Sequence, residues 1–560
     1  MNLLRTAESL RGKLDRLIAS PILWVVFLTL GVAALLRQYL FAHSYWYDEA
    51  FLILAIRERC YAALLGPQPY NLVIPPVFLW AVRGLHELAG DAELCLRLPA
   101  FAAAVLALIL MIPLARKLVG RPHALWAFAW LAISRNLLAH ACEVRPYTLD
   151  LLLGEAILLC SAVLLDPASR PVPLTCAAAG LSVLAAVGPW VSFPTVFVLG
   201  GASLAIAVQL FRHGSAHGLR RAFAGTWSGW ALWLGLNALL GISALGLWWL
   251  SGRHMYYGGM LEHWGHKGWW GFPDWHSPAN MCRWLIWRPY DLANYGNREL
   301  GVVLPLFALM GGLALAKRSP SLGTLLITPF ALALTAALLG KYPLAHRTAF
   351  FLLPCLWLLA AAGFAVMVEW ARRHGRELAL AGLLLVAWDT AWLLVRLARP
   401  DPGLDYRGAY AFVQAHRQAG DAVWAQMAVV YEVYYGKNAA ILKDADFAEA
   451  KQLARSQRLW AVLGQNRHDL QQELAAAAGQ IVLCHHLNGV TVLLLEPKSR
   501  TVHVTSEPRG AKTKKRKPAA PLFIGETGFQ NLQKSSPISR LCSQSAWRRA
   551  LSPAWERDRP

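Results

Sequence analysis

Charged residues are scarce in this sequence. Asp, Glu, Lys and Arg make up 16% of the 560 residues, whereas a soluble protein carries roughly 25%. Apolar residues make up 56% of the chain, which also contains 25 tryptophans. This composition excludes an ordinary soluble protein and indicates an integral membrane protein.

The sequence also lacks paired cysteines. Its positive charge is not concentrated in a way that indicates a polyanionic partner. The 9 Cys form no CxxC pair and no metal-ligand spacing, so neither a disulfide framework nor a zinc site is predicted. The net charge is +21, but residues 498–560 alone carry 14 basic and 4 acidic residues. Most of the remaining excess lies in short loops between apolar runs, where it sets topology. We therefore expect no nucleic-acid partner.

Long apolar runs predict about eleven transmembrane helices, because roughly 20 residues are needed to cross about 30 Å of hydrocarbon. The first run has no small-residue cleavage site and is interpreted as an uncleaved signal anchor. Gly188-Pro189 is either a tight turn between the fifth and sixth spans or a kink. The predicted spans are 21–41, 94–115, 122–140, 147–165, 173–188, 190–211, 229–250, 300–316, 321–340, 347–369 and 377–397.

The basic residues predict the orientation of these spans. If residues 1–20 are cytoplasmic, every inside loop carries Lys or Arg, as the positive-inside rule requires. Two long loops, 42–93 and 251–299, then lie outside and hold most of the carboxylates and interfacial aromatics. The aromatics of the second loop fit an interfacial belt or, alternatively, a surface that grips sugar or lipid. We expect a protein of the cytoplasmic (inner) membrane whose active site is extracytoplasmic.

The composition changes after the last span. Residues 21–399 are predicted to form an all-α polytopic membrane bundle, followed by a small soluble α/β domain at 403–497 on the outer side. Residues 498–560 are too polar and rich in Pro and Ser to pack, and we expect a basic, disordered tail. Within the α/β domain the predicted elements are a helix at 406–419, strands at 421–426 and 458–463, a helix at 469–478, and a hairpin of 481–485 with 490–495.

Two adjacent carboxylates, Asp48 and Glu49, follow the first span directly. Ionisable groups at the hydrocarbon boundary are expensive to keep and are usually functional. A structural alternative is that Asp48 caps a helix whose first turn contains Glu49, where negative charge interacts well with the helix dipole. Both interpretations can hold at once.

Further charged clusters lie at the outer ends of later spans. The short loop after the third span contains Glu143, Arg145 and Tyr147, and the start of the tenth span contains Lys341-Tyr342-Pro343-Leu344-Ala345-His346-Arg347. The first loop also contains Ile74-Pro75-Pro76 and Glu93-Leu94-Cys95-Leu96-Arg97-Leu98-Pro99.

Taken in order, these motifs resemble those of the GT-C membrane glycosyltransferases. The set is Tyr-Asp-Glu-Ala, Pro-Pro, Glu-x-x-x-Arg-Leu-Pro, Glu-x-Arg-Pro-Tyr and Tyr-Pro-x-x-x-Arg, and it covers roughly residues 40–370. The most similar branch groups protein O-mannosyltransferase-like enzymes with lipopolysaccharide galacturonosyl- and aminoarabinose transferases. The resemblance implies a polytopic helical bundle with two amphipathic helices in the first outer loop. One departure is Ile74, where relatives often have His or Gln, and this leaves the acceptor class open.

The resemblance implies an inverting transfer of a sugar from a polyprenyl-phosphate donor to a glycan, lipid or protein acceptor. Because the leaving phosphate is already a stable anion, one carboxylate acting as base is sufficient. Asp48 is the family-matched base, and Glu49 is its neighbour or positioning partner. Arg145 and Arg347 are the expected phosphate contacts, since guanidinium matches phosphate geometry, and Lys341 and His346 could assist.

Each of these assignments has an alternative. Arg145 could instead form a salt bridge to Glu143 or to a first-loop carboxylate, and Arg347 could extend to the interface for solvation alone. Some relatives use a divalent metal ion near the first-loop carboxylate, and Asp48 with Glu143 could supply oxygen ligands. Two other functions also remain open at this stage: a transporter or flippase, and a catalytically inactive membrane scaffold of glycan assembly.

Overall fold

The structure is a computed structural model that describes residues 20–497, apart from 121–122, 214–225, 256–259, 266–269, 375–387, 389, 402, 438–440, 444–445 and 465–466. Among these residues, eight helices are long and apolar enough to cross a membrane. They are Pro21–Phe41, Glu93–Leu118, Tyr147–Leu164, Pro171–Val191, Thr195–Arg212, Gly229–Met255, Pro320–Leu338 and His346–Trp370. The chain is therefore an integral membrane protein, as predicted.

The helices are named in chain order. They are α1 (Pro21–Phe41), α2 (Tyr47–Glu58), α3 (Pro76–Ala89), α4 (Glu93–Leu118), α5 (Ala124–Ala132), α6 (Arg135–His140), α7 (Tyr147–Leu164), α8 (Pro171–Val191), α9 (Thr195–His213), α10 (Thr226–Leu247), α11 (Pro278–Gly296), α12 (Val303–Arg318), α13 (Pro320–Leu338) and α14 (Leu353–His374). A 3₁₀ segment at His346–Leu352 leads directly into α14, and residues 390–398 are also helical.

Two predicted spans differ from the helices observed, and a third lies mostly outside the described residues. The span at 122–140 is two shorter helices, α5 and α6, and the helix is interrupted at Ser134, whose backbone is extended. The Ser134 hydroxyl donates to the Gly296 carbonyl oxygen at 2.8 Å, so a distant segment contacts the residue at the break. The span at 300–316 corresponds to α12, which has only 16 residues. The span at 377–397 falls mostly outside the described residues, as do residues 1–19 and the tail from 498 onwards.

The boundary between the fifth and sixth spans lies later than Gly188-Pro189. Helix α8 continues through Pro189 to Val191 and ends at Ser192, and α9 begins at Thr195. The Pro189 ring therefore lies inside a helix, and the turn is made by residues 192–194.

Helices α12 and α14 approach each other closely because each presents a glycine to the other. A Cβ added at Gly311 would overlap with the Leu359 carbonyl oxygen, and one at Gly363 would overlap with the Phe307 carbonyl oxygen. Small residues that bring backbones together are a common way to pair helices in a membrane, where lipid supplies no hydrophobic driving force between them.

We expect Gly311→Ala to lower the thermal unfolding temperature of the purified protein. The added methyl group meets backbone rather than a movable side chain, so the two helices must separate, at a cost of about 1–3 kcal/mol or more. Gly235→Ala in α10 is the matched control, since a Cβ there has no neighbour within 4 Å. Equal unfolding temperatures for the two variants would show that this close approach contributes nothing to stability.

The α/β region extends the chain beyond residue 403. Its five strands, β1 (Ala422–Ala425), β2 (Ile441–Leu442), β3 (Leu459–Gly464), β4 (Gly479–Leu487) and β5 (Val490–Pro497), form one sheet in the order β2-β1-β3-β5-β4. Strand β1 is parallel to β2 and β3, while β5 is antiparallel to β3 and β4. The helices of this region are α15 (Tyr406–His416), α16 (Ala428–Tyr435), α17 (Phe447–Ala454) and α18 (His468–Ala478).

This region packs directly on the first long loop. Helix α16 contributes Val430 and Val433 to the same buried cluster as Leu52 and Ile53 of α2. Polar contacts reinforce the junction, because the Tyr45 backbone N–H donates to the Tyr434 hydroxyl at 2.9 Å. Arg57 of α2 also donates to the backbone carbonyl oxygen of Val433. The helix that begins with Tyr47-Asp48-Glu49 is therefore held between the membrane bundle and the α/β region.

Candidate active site

Helix α2 begins at Tyr47, so the two predicted carboxylates occupy its first turn. The Trp46 backbone N–H, which precedes the helix, donates to Glu49 Oε2 at 2.9 Å. Negative charge in this turn also interacts favourably with the helix dipole. The structural interpretation of these residues thus applies to Glu49, whereas Asp48 points to other partners.

Glu49 lies in a buried ion pair. Its two oxygens accept from Arg97 Nε and Nη2, each at 2.9 Å, and both side chains are only 1% exposed. Glu49 Oε1 also accepts from the Val144 backbone N–H at 2.8 Å, while Arg97 donates to the His43 carbonyl oxygen at 2.7 Å. One carboxylate thereby joins α2, α4 and the loop at 141–146.

No role was predicted for Arg97 from the sequence. The signal was present, since a cation at the fifth position of a 26-residue apolar helix needs a partner in low dielectric. The motif that contains Arg97 was noted, but nothing in one sequence identified Glu49 as that partner.

Asp48 is brought together with both predicted arginines. Arg347 Nη1 forms an ion pair with Asp48 Oδ2, and Arg145 Nη2 lies 3.7 Å from the same oxygen. Arg145 Nη2 also donates to the Asp48 backbone carbonyl oxygen at 2.5 Å. Asp48 and Arg145 are mostly buried, while the Arg347 side chain is 27% exposed. The salt bridge of Arg145 is therefore to the first loop and not to Glu143.

These three side chains line a cavity of about 830 Å³, within the size range of ligand sites. Tyr147 and Lys341 line it as well. The Arg347 guanidinium carbon lies 6.0 Å from the centre of the Tyr147 ring and 5.9 Å from that of Trp264 in the second long loop. An apolar group of residues, here called the apolar wall, also lines the cavity: Phe193, Pro194, Val196, Phe197, Ala244, Leu247 and Trp248.

The apolar wall was not anticipated. Phe193, Pro194 and Phe197 lie at the turn between α8 and α9 and the start of α9, and in sequence they resemble any other lipid-facing residues. Asp150 and Tyr342 also line the cavity without having been predicted to do so. Only the packing of α7, α9 and α10 shows that they face a ligand-sized space.

Glu143 and His346 lie elsewhere. Glu143 lines a second cavity, and its Oε2 is 2.9 Å from His140 Nδ1, whose ring contacts the Tyr295 hydroxyl at 2.6 Å through Nε2. His346 faces a third cavity and stacks edge-on against Tyr295, with ring centres 5.8 Å apart. Glu143 is two residues from Arg145, and His346 directly precedes Arg347. Neither Glu143 nor His346 lines the main cavity, however.

The pKa values of Tyr47, in the first long loop, and of Glu143, in the loop at 141–146, illustrate the local electrostatics. Burial raises the pKa of Tyr47, and the adjacent Asp48 carboxylate raises it further. For Glu143, burial acts to raise the pKa, but His140 and Arg347 outweigh it, so the pKa of Glu143 is lowered overall. Glu143 is therefore ionised at neutral pH.

The two metal ligands suggested by the sequence do not line the same cavity. Asp48 and Glu143, the oxygen ligands suggested by the sequence, line different cavities. Across the described ranges, no group of three or more His, Cys, Asp or Glu side chains could hold a metal ion.

Residues 73–198 match the family model of dolichyl-phosphate-mannose-protein mannosyltransferases. This match covers less than a quarter of the chain, lies inside the region of roughly residues 40–370 that carries the resemblance to the GT-C membrane glycosyltransferases, and agrees with it. The match contains Arg97, Glu143, Arg145 and Tyr147, and it ends in the turn and first residues of α9 that form the apolar wall. No curated protein sequence matches the chain.

Several solved GT-C structures are similar in outline. ArnT from Cupriavidus metallidurans bound to undecaprenyl phosphate has 14% identity and a TM-score of 0.48, with 84% of this chain and 97% of ArnT covered. An Archaeoglobus fulgidus oligosaccharyltransferase in complex with Zn and sulfate has 12% identity and a TM-score of 0.43, with 84% and 72% covered. AglB from the same organism, in complex with an inhibitory peptide and a dolichol-phosphate, has 12% identity and a TM-score of 0.42, with 85% and 75% covered. All three TM-scores lie below 0.5.

Proposed function

We propose that this membrane glycosyltransferase moves a sugar from a polyprenyl-phosphate donor to an acceptor hydroxyl or amine, with inversion at the anomeric carbon. The observation that carries the proposal is the meeting of Asp48, Arg145 and Arg347 in a cavity that the residues of the apolar wall also line. A lipid-linked phosphosugar has matching chemistry, with a monoanionic phosphodiester between a polar sugar and an isoprenoid chain.

In this mechanism the phosphate binds to Arg145 and Arg347. In the structure Arg347 pairs with Asp48, and we propose that the donor phosphate takes over this guanidinium on binding. Arg145 stays anchored by its hydrogen bond to the Asp48 backbone carbonyl oxygen. The exchange would release the Asp48 carboxylate from its strongest partner at the moment when a base is required.

The chemical step is a single displacement. The Asp48 carboxylate accepts the proton of the acceptor group while the acceptor atom forms a bond to the anomeric carbon. The bond between that carbon and the phosphate oxygen breaks, and the lipid phosphate leaves with the electron pair. No general acid is needed because the phosphate is stable as an anion and is held by two guanidinium groups.

Glu49 acts as a positioning residue in this proposal. Its buried ion pair with Arg97 fixes the first turn of α2. Asp48 lies in the same turn and directly precedes Glu49. Tyr147 and Lys341 remain substrate contacts, because both line the main cavity. Glu143 and His346 do not line it, so in the proposed mechanism they touch neither the sugar nor the phosphate.

We further propose that the reaction takes place on the extracytoplasmic face of the inner membrane. The support is the distribution of Lys and Arg among the short loops, which orients the first long loop and the α/β region outward. The apolar wall is contributed in part by residues of α9 and α10, both of which contain candidate membrane spans. An isoprenoid chain could therefore enter from the bilayer.

The direct test supplies the full-length purified protein in lipid vesicles with a radiolabelled polyprenyl-phosphate sugar and an envelope extract as acceptor. We expect label to pass to the extract and free polyprenyl phosphate to accumulate in equal amount. Donor that binds but is never turned over with any acceptor fraction would favour the inactive scaffold instead. Transfer of intact donor across the vesicle membrane would favour the flippase.

Arg347→Gln is expected to weaken donor binding about tenfold or more, because one charge-assisted contact to the phosphate is lost. Arg347→Lys should recover only part of this loss, since an ammonium lacks the two-pronged geometry of guanidinium. The measurement is the KM for the polyprenyl-phosphate sugar, compared with Arg298→Gln as an exposed control in the second long loop. An unchanged KM in Arg347→Gln would remove this residue from the phosphate site.

A further inference from the structure

A second cavity, of about 480 Å³, lies on the other side of the segment that carries Asp48. Trp46 lines this second cavity, whereas Tyr47 and Asp48 line the first. In the same way Glu143 faces the second cavity and Arg145 the first. Two short stretches of chain therefore separate two ligand-sized spaces, and the proposed transfer reaction uses only one of them.

Two arginines of the second cavity meet at one aromatic ring. The guanidinium carbon of Arg135 lies 4.2 Å from the ring centre of Trp392, and that of Arg396 lies 4.9 Å from it. All three residues line the cavity. Such stacking holds a guanidinium in place while leaving its edge N–H groups able to bind phosphate.

Two carboxylates line the same cavity, Glu143 and Asp401. Asp401 lies 3.4 Å from Arg396, and Glu143 Oε2 lies 2.9 Å from His140 Nδ1. The cavity therefore presents both signs of charge, which disfavours a purely anionic ligand. A ligand with a phosphate and an ammonium group would satisfy both sets.

His43 adds a neutral polar group. Burial, together with the neighbouring Arg97, lowers the pKa of His43 to about 4, so its ring is uncharged at neutral pH. Its Nδ1 atom is buried and, among the described residues, has no hydrogen-bond partner. A buried ring nitrogen without a partner costs free energy, and a ligand N–H or O–H group could supply the missing bond.

The cavity borders the lipid-facing surface of the bundle. It is lined by Gln38 near the end of α1 and by Trp392 and Arg396 of the helical segment 390–398. Large apolar side chains beside these residues are exposed: Leu40 and Phe41 on α1, and Leu394 and Val395 on the last segment. In a bilayer, exposed apolar side chains of this kind contact acyl chains, so a lipid headgroup can reach the cavity from the side.

We propose that this second cavity binds the headgroup of a zwitterionic phospholipid of the phosphoethanolamine type. Arg135 and Arg396 contact the phosphate, and Glu143 and Asp401 contact the ammonium group. The site is separate from the proposed transfer reaction, and the bound lipid would contact Asp401, Gly403 and Leu404, which lead into α15.

The test is native mass spectrometry of the full-length protein, purified in mild detergent with equal amounts of phosphatidylethanolamine, phosphatidylglycerol and phosphatidylcholine. We expect phosphatidylethanolamine to be retained preferentially, because only it combines a phosphate with an ammonium group that has N–H donors. Arg396→Gln should reduce its retention about tenfold, which corresponds to the loss of one charge-assisted hydrogen bond. Arg399→Gln, three residues later and exposed, is the matched control and should retain the lipid.

Equal retention of phosphatidylglycerol would overturn the assignment of the two carboxylates, and retention unaffected by Arg396→Gln would overturn the site itself. A soluble arm uses glycerophosphoethanolamine, which has the same headgroup without acyl chains. If it binds as tightly as the lipid, the cavity recognises a free metabolite-like headgroup and the membrane-lipid proposal is wrong. Donor binding in the first cavity is measured in parallel, so a failure here is distinguishable from a failure of the proposed transferase activity.

Discussion

Asp48→Asn is expected to slow sugar transfer about 10²–10⁴-fold, the usual contribution of a positioned general base. Donor binding should not weaken, because the substitution removes the anion that competes with phosphate for Arg347 and Arg145. The prediction therefore separates the chemical step from binding. It is measured as the single-turnover rate with saturating labelled donor, beside the equilibrium binding of that donor.

The control for Asp48→Asn is Asp469→Asn, which removes an exposed carboxylate in α18. It should leave both quantities unchanged. Full transfer by a correctly folded Asp48→Asn protein would rule out Asp48 as the base. A loss of donor binding in this variant would show instead that the carboxylate organises the arginines and has no role in proton transfer.

Arg97→Leu is expected to destabilise the protein by about 3–5 kcal/mol, because it leaves Glu49 as an unpaired charge in a buried position. The double variant Glu49→Leu/Arg97→Leu should recover much of this stability, since replacing both partners of a buried ion pair is often neutral or better. The recovery in the double variant distinguishes lost charge pairing from simple damage to packing. Both effects are read as thermal unfolding temperatures of the purified protein.

The matched comparison for that pair lies on the surface. Arg467 and Asp469 are paired at 2.6 Å with both side chains largely exposed, and solvent-screened pairs of this kind contribute little to stability. Arg467→Leu should therefore leave the unfolding temperature nearly unchanged. If Arg97→Leu were equally mild, Glu49 would not be held by Arg97 in the way the structure indicates.

The double variant also tests whether Glu49 positions Asp48 for sugar transfer. Helix α2 would remain folded, but the carboxylate that ties it to α4 and to the Val144 backbone N–H would be gone. Since Glu49 is proposed only to position Asp48, stability and transfer rate need not recover together. The two readouts measured on one variant test the two roles separately.

The large features of the fold could be predicted from the sequence because the bilayer imposes a simple length requirement. The break at Ser134 could not be predicted, since this residue contacts a segment far away in the chain. The end of α8 could not be fixed because a proline can either kink a helix or end it. In the α/β region, the helix Ala428–Tyr435 was missed for a related reason. Its sequence, Ala-Val-Val-Tyr-Glu-Val-Tyr-Tyr, is rich in β-branched and aromatic residues that favour strands. Packing against α2 overrides that preference.

The candidate site shows the same division. Asp48, Arg145 and Arg347 are far apart in the chain, yet the predicted topology put all three at span ends on the same side of the bilayer, and the structure brings them together. Glu143 was grouped with them because it is two residues from Arg145. The side chains of these two residues line different cavities, and the local backbone conformation that separates them cannot be deduced from the order of residues.

The junction between α2 and α16 has a consequence for how the protein matures. Helix α2, which carries Asp48, is synthesised early. Its apolar face packs against Val430 and Val433, and these residues are made more than 350 residues later. Polypeptides fold from the N-terminus onwards during synthesis, so this contact can form only after most of the chain has been made. The packing around the helix that carries Asp48 is then completed by a segment that follows the last candidate span of the described residues.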